Sequence, residues 1–171
     1  MVKGGAIRPP LVIRDVGAPN TVQHLMPDGT TGREALRSTL QHTARSASHI
    51  CLYVGLDATD EELGLGRSNL WVYHSSDQDG DLSRYLADPE APLPMVYISF
   101  PSAKDPDFAN RHPGKATVEV VSIAPYDRFQ QWEDTKWMKR GEDYEAIKEE
   151  LSSRLIEVLE REVPQIAGKI A

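Results

Sequence analysis

The sequence predicts an α+β fold with a mixed, largely antiparallel sheet covered by helices. Strand-type alternation in short apolar segments carries this reading. So do the loops and short helical stretches between those segments, and a long amphipathic helix that comes last.

In chain order, Ala6 to Asp15 reads as a first short strand. Its Leu11-Val12-Ile13 core is apolar throughout, the pattern of a strand buried on both faces. Gly17-Ala18-Pro19-Asn20 breaks it, and Thr21 to Met26 allows one or two helical turns. Glu34 to Thr43 is helical, with Leu36 and Leu40 on one face. Ala47 to Leu56 is a strand: Ile50, Leu52, Val54 and Leu56 line one side, and His49, Cys51, Tyr53 and Gly55 the other. Asp60 to Gly66 is a helical turn and Asn69 to His74 a further strand. Asp81 to Ala87 is a short helix stopped before Pro89. Met95 to Phe100 and Ala116 to Ile123 complete the strands, with Pro101 to Gly114 as loop between them. Tyr126 to Trp132 gives one or two turns. From an N-cap at Asp143, the apolar positions Tyr144, Ile147, Leu151, Leu155, Val158 and Leu159 form one helical stripe that Pro164 ends.

A chain of 171 residues is one domain by default and is long enough for a real core. The formal net charge of −7 argues against nucleic acid, whose phosphates need clustered cations. The basic run from Lys136 to Arg140 is broken by Trp137 and Met138. Cys51 is the single cysteine, which fits a reducing, cytoplasmic setting. Its apolar neighbours predict a buried, inert thiol. No secretion-type apolar stretch follows Met1-Val2-Lys3-Gly4-Gly5, and no run approaches the ~20 apolar residues of a membrane span.

Motifs with chemistry are few. Gly64-Leu65-Gly66-Arg67-Ser68-Asn69 begins like a dinucleotide fingerprint, but it lacks the last glycine and follows Asp60-Glu61-Glu62 rather than a strand. Asp77-Gln78-Asp79-Gly80-Asp81 begins like a calcium loop with its glycine misplaced, and reads instead as a turn leading into a helix. His24, His42, His49, His74 and His112 show no metal-ligand spacing, so no metal site is expected. The strand aromatics Tyr53, Trp71, Tyr73, Tyr97 and Phe100 remain, either as core or as the wall of an apolar pocket.

Several segments resemble the phytoene desaturase, carotenoid isomerase and retinol saturase group of FAD-dependent oxidoreductases, the retinol saturase branch most. They are Ile7 to Asn20, Ser48 to Gly55, Tyr97 to Phe108 with its Pro-Ser-x-x-Asp-Pro run followed by Pro113-Gly114, and the helix ending Val163-Pro164-Gln165-Ile166. The resemblance implies the substrate domain of a two-domain flavoprotein, with residues 1–20 a remnant of the flavin-binding domain and residues 21–171 the substrate-binding domain. It implies reactions at carbon–carbon double bonds of polyenes or other apolar substrates. Asp15, Gly17 and Ala18 would lie near the flavin, and Tyr53, Tyr97, Ser99 and Phe100 at the substrate. It also implies a flavin-binding domain or chain as partner and, for a whole protein of this kind, a peripheral membrane contact. The catalytic residues stay unknown, and activity of this chain alone is not expected, because the cofactor carries the redox chemistry. Two other readings fit the same residues: a non-catalytic module for apolar ligands, and an interaction module docking on a flavin-binding chain. The incomplete fingerprint generates a first test. FAD titrated into the purified chain should show no tight quenching of flavin fluorescence, and a sub-micromolar dissociation constant would refute this.

Overall fold

The computed structural model describes residues 8–43, 47–136 and 138–171. The chain divides into two compact units, residues 1–46 and residues 47–171.

In the first unit, Gly17 sits at φ 80°, a conformation that side chains resist. It opens α1 (Ala18–Asn20), which runs into a π-type turn at Thr21–Leu25. Gly32, also left-handed, starts α2 (Arg33–Gln41). Arg33 ties the two stretches together, its Nε donating to the Val22 carbonyl at 3.0 Å. The strand expected from residue 6 to 15 does not form over its described part, Arg8 to Asp15. Leu11, Val12 and Ile13 are 72%, 62% and 89% exposed. An apolar run is not enough: a strand needs a neighbour for its backbone donors and acceptors, and no described strand pairs with this one. Ala6 and Ile7, where that strand was expected to begin, lie outside the described residues, as does Trp137.

The second unit holds one antiparallel sheet, so the fold is α+β. Its strands are β1 (Ser48–Leu56), β2 (Leu70–Tyr73), β3 (Met95–Ser99) and β4 (Ala116–Ala124), in the order β1-β4-β3-β2. Leu52 pairs with Val120, Val120 with Ile98, and Tyr97 with Trp71. The helix α3 (Gln78–Ala87) links β2 to β3. The Asp77 carboxylate caps it by accepting from the Gly80 N–H at 3.1 Å. Asp81, buried in the first turn, accepts from the Ser75 hydroxyl at 2.7 Å and pairs with Arg84. The Ser75 hydrogen bond and then Arg84 hold its carboxyl below the usual carboxylate range. The stretch expected as plain loop carries two short helices, α4 (Pro101–Lys104) and α5 (Phe108–Arg111). Tyr126–Arg128 and Gln130–Trp132 are 3₁₀ turns.

The last helix, α6 (Glu142–Glu162), is capped by Gly141 rather than Asp143. Glu142, Asp143 and Glu145 occupy its first turn, where the helix dipole favours negative charge. Its buried stripe is Leu151, Leu155 and Leu159. Leu155 and Leu159, with Val163 and Ile166, pack on Val54, Leu56, Val96, Ile98, Val118 and Val120 of the sheet. Ser122, the one hydroxyl among these buried β4 side chains, is satisfied by donating to the Met95 carbonyl at 2.7 Å. Chain-terminal residues lie along the outer edge of β1: Ile170 bridges Leu56, and the Ala171 N–H donates to the Gly55 carbonyl at 3.0 Å. Among the described residues no helix is long and apolar enough to cross a membrane.

This packing predicts where stability resides. Leu155 is fully buried, so Leu155→Ala should cost about 2–5 kcal/mol in urea unfolding. Trp71→Ala, on the exposed face, should cost about 1 kcal/mol or less. Equal losses would mean that the core is not where the structure puts it.

Candidate functional site

Strand alternation gives the sheet two chemically different faces. Even-numbered residues of β1, β3 and β4 point to α6. Odd-numbered residues point to the opposite face, where Tyr53 is exposed, Tyr97, Glu119 and Val121 are half-buried and Ser99 is buried. The register arranges this second face in rows across the strands. One row is apolar and aromatic: Cys51 of β1, Val121 of β4, Tyr97 of β3 and Trp71 of β2. The Trp71 and Tyr97 rings meet with centroids 4.9 Å apart at 60°. The adjacent row is polar: Tyr53, Glu119 and Ser99. Tyr53, Trp71 and Tyr73 are 75%, 58% and 43% exposed, large values for aromatic side chains.

Two features sharpen the polar row. Gly55 has no side chain to fill the face, and a cleft of about 350 Å³ opens beside it, lined by Tyr53, Thr117, Glu119 and Pro101. From α4, the Lys104 ammonium reaches across the sheet to donate to the Ser99 hydroxyl at 2.7 Å and to the Asn69 side-chain carbonyl. The helix that carries Lys104 is fixed in turn by buried Ser102, which donates to Asp60 at 2.8 Å and accepts from the Thr117 N–H at 2.8 Å.

The residues singled out from the sequence fall into three places. Tyr53, Tyr97 and Ser99 share the face turned away from α6, where Ser99 is itself buried, and β4 separates Tyr53 from the other two. Phe100 turns the opposite way and is buried in the core. Asp15, Gly17 and Ala18 belong to the first unit, where all are exposed. Cys51 is exposed, contrary to the buried thiol expected, because its odd position places it on the uncovered side of β1. Glu119 and Lys104 were not singled out. A lone charge in the middle of a strand was a visible signal for Glu119, whereas Lys104 sits in a segment that reads as loop. Among the described residues no group of three or more His, Cys, Asp or Glu could hold a metal ion.

Comparison with known proteins finds relatives for nearly the whole chain. It is 33% identical over 168 residues to the all-trans-retinol 13,14-reductase of Danio rerio, covering 96% of this chain and 28% of that protein. The Rattus norvegicus all-trans-retinol 13,14-reductase is 32% identical over 165 residues, 94% of this chain and 27% of its own length. The chain is homologous to one region of these reductases. It spans little more than a quarter of the length of the relatives it matches. A Danio rerio protein named an inactive all-trans-retinol 13,14-reductase is 29% identical over 169 residues, 96% of this chain and 28% of that protein. The homologous region is therefore common to proteins named for the activity and to one named for lacking it. No family model matches the chain, and no solved structure does.

The Tyr53 phenol is held above the ordinary tyrosine value, first by the neighbouring Cys51 and then by Glu119, whose negative charges oppose a phenolate. In a spectrophotometric titration corrected with Tyr53→Phe, Cys51→Ser should lower the Tyr53 midpoint and Glu119→Gln should lower it by less. A midpoint that neither variant moves would show that the three groups are not neighbours.

Proposed function

We propose that the chain is the substrate-facing portion of an FAD-dependent oxidoreductase acting on carbon–carbon double bonds of polyenes or other apolar molecules. Its exposed sheet face would form one wall of the substrate site. The observation that supports this most is that face itself: Trp71, Tyr73 and Tyr53 stand exposed on a well-packed sheet. Rigid aromatics on a regular scaffold suit the binding of a long apolar molecule. The relatives, named for reducing the 13,14 bond of all-trans-retinol, supply a substrate of that kind. Tyr53, Tyr97 and Ser99 are proposed as substrate-side residues, and Phe100 as support from behind the sheet.

Saturating a double bond adds a hydride and a proton, and a bound reduced flavin would supply the hydride. The described residues of this chain do not fit the flavin by themselves. The sheet is antiparallel throughout, and Gly64-Leu65-Gly66 lies in the connection from β1 to β2, with Leu63 and Leu65 buried, rather than at a strand-to-helix turn. The reading therefore assigns the flavin to polypeptide beyond this region and derives no step through it. It keeps Asp15, Gly17 and Ala18 as flavin-proximal positions, residues 1–20 as part of the flavin domain and residues 21–171 as substrate domain. A second reading, a non-catalytic module for apolar ligands, is favoured by the relative named as inactive.

Titration with all-trans-retinol, followed by the ligand's own fluorescence, tests the shared claim. Saturable binding is expected, weakened roughly tenfold by Trp71→Ala and weakened also by Tyr53→Ala. Leu36→Ala, in the other unit, should leave it unchanged. Binding indifferent to both aromatic substitutions would place the ligand elsewhere.

A further inference from the structure

We propose that the outer edge of β1 is a docking edge for one more strand, filled by polypeptide that continues from Ala171 in a protein of the relatives' length. The inference concerns the edge of the sheet and not its substrate face, so it stands without the function proposed above.

The start of that pairing is already formed. Lys169 to Ala171 run antiparallel to β1. The Asp57 N–H donates to the Lys169 carbonyl at 2.8 Å, the Ala171 N–H donates to the Gly55 carbonyl at 3.0 Å, and Ile170 stands opposite Leu56. Along an antiparallel strand the backbone groups of successive residues alternate sides, and both groups of one residue point the same way. Asp57 and Gly55 point to the outer edge, so Tyr53, Cys51 and His49 do too, while the even-numbered residues of β1 bond to β4. Among the described residues no strand pairs with β1 on that side beyond Gly55. The N–H and C=O groups of Tyr53, Cys51 and His49 are thus left in a row directly ahead of Ala171.

This edge carries none of the devices that ordinarily keep strands apart. β1 is 9 residues long and holds no proline, lysine or carboxylate, whereas β2, at the other edge of the sheet, has 4 residues. Burial along β1 falls off where the pairing stops. Val54 and Leu56 are buried, and Ile50 and Leu52, on the same side, are half-buried. Beside Ile50 a groove of about 340 Å³ opens between β1 and α6, walled by Phe129, Tyr144 and Lys148. Continued in the register of Ile170, the first, third and fifth residues after Ala171 would stand opposite Val54, Leu52 and Ile50 on the α6 side. Apolar side chains there would cover Leu52 and fill the groove. The occupant is therefore an extended segment with apolar residues at alternate positions. A second copy of the chain fits less well, because Lys169 to Ala171 already hold one end of the edge and a tethered strand has the higher effective concentration.

Residue-resolved hydrogen exchange by NMR tests this on three proteins: the 171-residue chain, the same chain extended by Val-Thr-Val-Thr-Val, and one extended by Val-Pro-Val-Pro-Val. The second and fourth added residues are those whose N–H would donate to the Tyr53 and Cys51 carbonyls, a bond that proline cannot make. The Tyr53 and Cys51 amides should exchange freely in the unextended chain and slow by about tenfold or more in the valine–threonine extension only. The Ile50 and Leu52 amides, bonded to β4, should stay slow in all three, which shows that the sheet is intact. Tyr53 and Cys51 amides that exchange alike in the two extended proteins would overturn the proposal. Protection already present in the unextended chain, and rising with its concentration, would give the edge to a second copy and overturn it also.

Discussion

The second unit depends on one packing event, the burial of the Leu155 and Leu159 stripe of α6 on the even-numbered side chains of the sheet. A four-stranded sheet with only one face buried is marginal unless that face is filled well. Here it is filled by β-branched and leucine side chains with little exposure: Val96, Ile98, Val118 and Val120 against a single helix and the turn after it. Because the strand period is two, this burial fixes what the other face must show. A shift of one residue in the register would put Tyr53, Cys51 and Glu119 into the core. The exposed face is therefore the necessary complement of the core and not a separate design.

That complement has an unusual composition. The solvated face of an antiparallel sheet ordinarily carries polar side chains. This one carries Trp71, Tyr73, Tyr97 and Val121 beside a narrow polar strip. Such a patch favours a ligand or a partner over water. Trp71 and Tyr97 support each other across β2 and β3, but α6 packs on the other side and does not bury them. The polar strip would also be out of place on a surface meant only for apolar packing, which is why the two rows together suit a molecule with an apolar body and one polar end.

Much of this was legible in the sequence. The alternation of β1 and β4 gave both faces correctly, and the three-and-four spacing of Leu151, Leu155 and Leu159 gave the buried stripe of α6. What could not be read was anything that depends on a neighbour. Leu11-Val12-Ile13 looks like a buried strand because composition reports a preference for burial and says nothing of a pairing partner. Cys51 looks buried because its sequence neighbours are apolar, although its own side chain points away from theirs. Whether the Tyr53 and Tyr97 faces adjoin could not be read either, and the strand order puts β4 between them. Lys104 belongs to the site through a hydrogen bond to Ser99, five residues back and around a turn, and no periodicity announces such a contact.

The homology divides the labour in the same way as the geometry. A region common to relatives named as reductases and one named as inactive need not contain the group that decides activity. On the reading proposed above it would contain what all of them need, a surface of fixed register for an apolar molecule. The described residues have that character. On that face the Tyr53 phenol is pushed towards its neutral form by Cys51 and Glu119. A neutral phenol next to a carboxylate offers hydrogen-bond partners and, by itself, no source of electrons. If this face is the substrate wall proposed above, the electron source for a double-bond reduction would approach it from the side away from α6, since Leu155 and Leu159 close the other.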